Sequence, residues 1–198
     1  MTLTVRERTD RSQSGFGADL VEALTACAEL INTGRSDAGE NLREVADVRE
    51  FGVRYDFVGP AAGRADVSRL RAHRARLDEV VTACEAGQQA AAIGLLNVLL
   101  AETGATPQIV AHGGRGPHIH VSSPTAPLAD RMAAHFAMAL AELVVAGESE
   151  RFRSCASPAY RAVFVDLSRN RSRRYCDSRT CGNRIHVAAY RARRAATS

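Results

Sequence analysis

Hydrophobic residues recur at helical spacing along most of the chain, and the period then changes twice. Between Ala18 and Asn32, the side chains of Leu20, Leu24, Cys27 and Ile31 fall on one helix face, and Gly34 follows as a stop. Leu42, Val45 and Val48 repeat the pattern from Asn41 to Phe51, with Gly52 predicted to end that helix. Asp66 is placed to cap a longer helix whose buried stripe is Leu70, Leu77, Val81 and Cys84 and whose end is Gly87. The stretch from Gln88 to Glu102 is apolar almost all round, which predicts a central helix. From Pro107 to Ser123, two short apolar runs flank Gly113-Gly114-Arg115-Gly116, the pattern of a β-hairpin or loose β-loop. A further long helix is expected from a Thr125 cap, with Pro127 near its first turn. Leu128, Met132, Phe136, Leu140 and Leu143 form its inner face and Gly147 its stop.

After the acidic linker Glu148-Ser149-Glu150 the texture changes again. Val163, Val165 and Leu167 alternate as in a strand, and Arg173 to Cys176 is spaced to pair with it across the polar turn Ser168-Arg169-Asn170-Arg171. From Cys181 the pattern turns helical, with Ile185, Ala189, Ala192 and Ala196 on one side and Arg184, Arg191 and Arg194 on the other. The fold class expected is therefore α+β and mostly helical. A helical N-terminal domain with a small β element spans residues 1–150, and a small ββα-like module spans 151–198.

Length and charge sharpen that division. The 198 residues suffice for one ordinary domain and an appendage, and the balance of apolar and charged residues is that of a globular chain. All 26 basic residues are arginine, and twelve of them fall in residues 151–198 against two acids, a net +10 on a body of −6. A basic tail on an acidic body is the electrostatic footprint of a phosphate-binding module, with a solubilising tail as the plainer alternative. No membrane partner is expected, because the most apolar stretch, Ala90 to Ala101, is short and interrupted by Asn97. The first fifteen residues contain Arg6, Glu7, Arg8 and Asp10 and no apolar core, so a cytoplasmic location is expected.

Three of the five cysteines, Cys155, Cys176 and Cys181, lie within the basic segment. A segment that small buries too little apolar surface to fold unaided, and a metal is a common staple. Thiolates at a turn and at a helix start suit tetrahedral zinc, although a fourth donor is then required. A Cys176–Cys181 disulfide or simple buried thiols are the competing readings. Cys27 and Cys84 sit on apolar helical faces, where a buried thiol is expected.

The run Cys176-Asp177-Ser178-Arg179-Thr180-Cys181-Gly182-Asn183-Arg184 resembles the CGNR zinc-finger family, down to its naming motif. The resemblance extends through Phe164 to Ser168, Arg171 to Tyr175 and Val187 to Arg194, about 45 residues in all. The body also resembles the ABATE domain that precedes this finger, through Leu30 to Thr33 and the His-Ile-His strand before the long apolar helix. The resemblance implies a stress-related bacterial transcription regulator that carries zinc. It departs at the first knuckle, where the family's second cysteine corresponds to Tyr160. Three thiolates remain, and His186 is the nearest substitute donor, ahead of Asp177, water or Tyr160 itself; a knuckle without zinc, held by packing of Tyr160, is the alternative.

The remaining chemistry lies in histidines. His118 and His120 project to one face of a strand and His112 lies across the glycine turn, a set that could bind a metal or an anion or simply line a half-exposed strand. His73 and His135 fall on helices and have no evident partner in the sequence. No nucleophile elbow, phosphate loop, dinucleotide turn or metalloprotease helix is present, so no enzyme is expected. The expected function is a DNA-binding regulator with an N-terminal sensing domain for a small-molecule effector, with a homodimer left open. Phosphate contacts are expected from Arg171, Arg173, Arg174, Arg179, Arg184, Arg191 and Arg194, with Asn183 capping the helix or reaching a base edge. An RNA-binding or ribosome-associated module is the first alternative, disfavoured because Tyr175 and Tyr190 are the only clear stacking candidates. A metal- or small-ligand-binding protein built on His112, His118 and His120 is the second.

Overall fold

A computed structural model of the chain describes residues 16–35, 39–57, 59–111, 116–157, 161–176 and 181. Five α-helices occur among these residues: α1 (Ala18–Asn32), α2 (Val45–Arg54), α3 (Arg64–Glu85), α4 (Gln89–Glu102) and α5 (Leu128–Val145). Two antiparallel hairpins accompany them, β1 (Gln108–Val110) with β2 (His118–His120), and β3 (Phe152–Ser154) with β4 (Val163–Val165).

Local chemistry explains where the helices start. The Asp47 carboxylate accepts the amides of Arg43 and Glu44 at 2.6 and 2.9 Å, so α2 begins at Val45, later than the apolar pattern predicts. Leu42 lies ahead of the helix, yet it is buried. Asp66 is the third residue of α3 rather than its cap. Its carboxylate accepts the amide of Gly63 at 2.8 Å and, through the other oxygen, the amide of Ala129 at 3.0 Å. One buried carboxylate thus satisfies orphan donors at the starts of both α3 and α5. Pro127, not Thr125, holds the cap position of α5, and the Thr125 hydroxyl bonds instead to that of Ser123 at 2.9 Å. The predicted stops at Gly87 and Gly147 adopt φ of +69° at both, where glycine alone is unstrained.

Gly52 is not a stop. It lies inside α2, where an added Cβ would come within 3.1 Å of Met132 Cε and 3.2 Å of Leu128 Cδ2. Both neighbours are buried, so the glycine is what lets α2 approach α5. Gly52→Ala should gain about 1 kcal/mol in helix propensity and lose about 1–3 kcal/mol to overpacking. A lower urea midpoint with an unchanged slope is the expected result.

Packing also corrects the place of α4. Only Ala92, Leu96 and Leu99 of that helix are buried, against α3 and α5, while Ile93 and Val98 face solvent. Ala90, Gly94, Asn97 and Ala101 share the exposed face with Ile93 and Val98, so a nearly all-apolar sequence leaves little large side chain in solvent. The core centres on α3 and α5, with α1 closing one side through Leu24, Cys27, Leu30 and Ile31.

An ion pair ties α3 to the segment before α2. The Arg74 guanidinium donates to both oxygens of Glu40, at 2.7 and 2.5 Å, and to the Thr33 hydroxyl at 2.8 Å. Those hydrogen bonds hold the Glu40 carboxyl down to about 2, against an ordinary 4.5. A depressed carboxylate stabilises fully above its unfolded value and loses that contribution as pH falls through about 2. Glu40→Gln should therefore lower the urea midpoint at pH 7, and the gap to wild type should shrink from pH 4 towards pH 2.

The second hairpin differs from the expected one. Val163, Phe164 and Val165 do form a strand, but the strand pairs upstream with Phe152, Arg153 and Ser154, not downstream with Arg173 to Cys176. The buried Arg151 donates Nη1 to the carbonyls of both Asp166 and Ser168, at 2.9 Å each, and so turns the chain away from a second ladder. The inner residues Phe152, Val163 and Val165 belong to the same hydrophobic core as the helices. On the outer side, the Arg173 guanidinium lies 5.1 Å from the centroid of Phe164.

Candidate metal centre and ligand cleft

The hairpin delivers a sulfur cluster. Cys155 follows β3, and its amide donates to the Ala162 carbonyl at 2.7 Å, which fixes it beside the strand. The return segment is held by the Asp166 carboxylate, which accepts the amides of Ser168 and Arg173 at 3.0 and 2.8 Å. Burial opposes ionisation there, but the Ser168 hydroxyl and these two amides together hold the Asp166 carboxyl below its ordinary value. A main-chain bond from Ala156 to the Arg174 carbonyl, at 2.9 Å, then lays Cys176 against Cys155. The Cys176 amide donates to Cys155 Sγ at 3.4 Å, and the sulfurs of Cys176 and Cys181 are 3.5 Å apart.

All three Sγ atoms lie within 4.8 Å of one another, the only cluster of this kind among the described residues. Sulfurs at 2.3 Å from a tetrahedral zinc stand roughly 3.8 Å apart, so the three donors fit that ion with small adjustments. Burial and the two neighbouring sulfurs push the Cys176 thiol up to about 12. A bound cation removes that penalty, since it favours thiolate at every ligand. Zinc bound here would be held by Cys155, Cys176 and Cys181 and would cross-link the hairpin to the start of the following segment. Tyr160, Asp177 and His186 lie outside the described residues. Cys27 and Cys84 are buried in α1 and α3, where desolvation raises both thiols, as suits structural residues.

Of the arginines expected to meet phosphate, the described ones have varied surroundings. Arg171 pairs with Glu148 at 2.6 Å, and Arg173 donates to the carbonyls of Tyr175 and Cys176 while covering Phe164. Arg174 is exposed. Arg179, Asn183, Arg184, Arg191 and Arg194 lie outside the described residues.

The same hairpin is anchored to α1 at a defined point. The Asn32 side-chain amide donates to the Val163 carbonyl at 2.9 Å, and its oxygen accepts the Val163 amide at 2.7 Å. Arg35 adds bonds to Ser154 Oγ at 3.1 Å and to the Arg161 carbonyl at 2.9 Å, while Glu85 of α3 accepts from Ser154 Oγ at 3.0 Å. Asn32 supplies, from the last turn of a helix, the two bonds that a neighbouring strand would otherwise provide.

The other end of α1 borders a cleft of about 710 Å³ between that helix, α5 and β2. His118 and His120 stand on its hairpin side with their Nε2 atoms 3.2 Å apart, and His118 Nδ1 lies 3.0 Å from the Gly116 carbonyl. A carbonyl only accepts, so His118 carries its proton on Nδ1, and in the neutral pair His120 Nε2–H donates to His118 Nε2. His112 lies outside the described residues. A third histidine, His135, joins them from α5, where sequence spacing gave no hint of a partner. Its ring meets Phe57 edge-on at 5.5 Å, and burial, followed by the nearby His120, lowers its pKa. His73 also has a partner: its Nε2 lies 2.7 Å from Asp130 Oδ1, joining α3 to α5.

Two family profiles match in chain order. Residues 24–147 match ABATE, described as "Putative stress-induced transcription regulator", and residues 151–194 match the CGNR zinc finger. Neither description is of an enzyme. A comparison with curated proteins finds no match. No helix among the described residues is long and apolar enough to cross a membrane. The sulfur cluster falls inside the zinc-finger match and the cleft inside the other, which covers more than half of the 198 residues; the chain belongs to the ABATE family and carries a CGNR zinc finger behind that domain.

Proposed function

We propose that this chain is a DNA-binding transcription regulator in which residues 1–150 sense a small molecule and residues 151–198 form a zinc-dependent DNA-contacting module. The observation that carries the reading is the three-sulfur cluster at the root of an arginine-rich segment. Zinc held by Cys155, Cys176 and Cys181, with His186 as the fourth donor, would order the segment that bears Arg179, Asn183, Arg184, Arg191 and Arg194. Those arginines would contact phosphates, which position a protein on the duplex, and Asn183 would cap the helix or reach a base edge. The cleft beside His118, His120 and His135 would be the sensing site, and His112 is the further histidine that the sequence offers it. Helix α1 supports a link between the two, because it borders the cleft at one end and holds β4 through Asn32 at the other.

The test is duplex binding by the full chain over a range of salt. Log affinity should fall by about 0.9 per phosphate neutralised for each unit of log salt. Arg184→Glu combined with Arg191→Glu should weaken binding to all sequences and flatten that slope. Binding indifferent to salt, or unchanged in the double variant, would overturn the assignment, and stronger binding to single-stranded or hairpin RNA would replace DNA as the target.

A further inference from the structure

We propose that the cleft between α1, α5 and β2 binds an amphipathic organic cation, a positively charged centre carried on an aromatic or aliphatic body. The assignment rests on the sensing role proposed for this site and adds the chemical class of the ligand. The space, about 710 Å³, is that of a small-molecule pocket, and its walls include Leu20, Phe57, Phe136 and Met138. The Leu20 and Met138 chains and the Phe57 ring would cover a hydrophobic body, and an aromatic ring can attract a cation.

The sign of the charge follows from the polar groups. Four carboxylates line the cleft: Asp19 and Glu22 on α1, Asp56 after α2, and Glu142 on α5. They come from three separate elements that converge on one opening. One guanidinium faces them, that of Arg131, and its Nε and Nη2 are aimed at the carbonyls of Ala126 and Pro60, at 3.0 and 3.1 Å. A cleft with apolar walls whose rim carries predominantly one sign of charge concentrates the opposite sign. An anion of the same size would meet four like charges on entry.

Two isosteric ions of opposite charge separate shape from sign: tetraphenylphosphonium and tetraphenylborate. Calorimetric titration of the full-length protein should give a Kd at least tenfold lower for the phosphonium. Asp19→Asn combined with Glu142→Gln, both at exposed positions, should leave the melting temperature unchanged and reduce that preference severalfold. Equal or tighter binding of the borate, binding of neither ion, or an undiminished preference in the double variant would each overturn the proposal. A duplex-binding assay with and without phosphonium tests the sensing role separately. Phosphonium that occupies the cleft and leaves DNA affinity unchanged would overturn the sensing role and support the ligand class.

Discussion

Replacing Cys155 with alanine is expected to abolish the zinc site proposed above while leaving the helical body folded. Cys155 is the buried member of the sulfur cluster, and its Sγ also accepts the Cys176 amide. The substitution therefore deletes one of three thiolates and opens the contact that seats the second. Loss of an outer-shell partner alone weakens metal sites about 10–100-fold, and loss of a ligand should exceed that. Structural zinc contributes roughly 10–16 kcal/mol of binding free energy in isolated fingers, so the local fold should go with the metal. The body should survive, because Phe152, Val163 and Val165 still anchor the hairpin in the helical core. Zinc content after dialysis under reducing conditions, with far-UV circular dichroism and a melting curve, checks both halves. A variant that keeps one zinc per chain would place the metal elsewhere.

Phe136→Ala should have the largest effect on global stability. The ring is fully buried in α5 and packs edge-on against Phe51 at 6.3 Å and Phe57 at 5.8 Å. Truncating a buried phenylalanine costs about 3–5 kcal/mol through lost burial and the cavity left behind. The cost here should fall at the high end, because Asp66 and Asp130 tie α5 itself to α3 and limit how far it can move into the void. Equilibrium urea unfolding measures it directly, and a loss below about 1 kcal/mol would show that the aromatic cluster repacks. His135 should also report the change, since its ring touches Phe136 at 5.9 Å.

The sequence was most legible where a single apolar stripe meets a clear terminator. Leu20, Leu24, Cys27 and Ile31 mark α1, and Gly87 and Gly147 mark two helix ends, because each signal is local. Legibility fell where tertiary contact overrides a local cue. Gly52 has the look of a stop, but what it provides is space for Met132 and Leu128 of another helix. Asp66 resembles a cap, yet its carboxylate serves its own helix and α5 together. Between its polar ends α4 is apolar except at Asn97, so that single exposed residue was all that distinguished its outer face from its buried one. Strand β3 was hidden because Phe152-Arg153-Ser154 offers a single apolar residue, and its partner lies nine residues beyond it.

The candidate site divides along the same line. Cysteines close together along the chain point to a cluster by spacing alone, and the fold does bring their sulfurs together. His118 and His120 share a strand face, as alternation requires. His135 could not be foreseen, because it reaches them only through the packing of α5 beneath the hairpin, fifteen residues further along the chain. Charge asymmetry indicated a binding segment, but Asn32, the residue that joins this segment's strand to α1, is one polar position among many in the sequence.

The carboxylate of Asp66 has a consequence for hydrogen exchange. The Ala129 amide belongs to the first turn of α5, where amides ordinarily exchange quickly because they lack a partner inside the helix. Its acceptor here sits 63 residues earlier, in the first turn of α3. That amide can open to deuterium only when the two helix starts separate, so its protection should track the opening of the core rather than the fraying of its own helix end. A single slow amide at an otherwise fast helix terminus would thus serve as a built-in gauge of whether α3 and α5 part company.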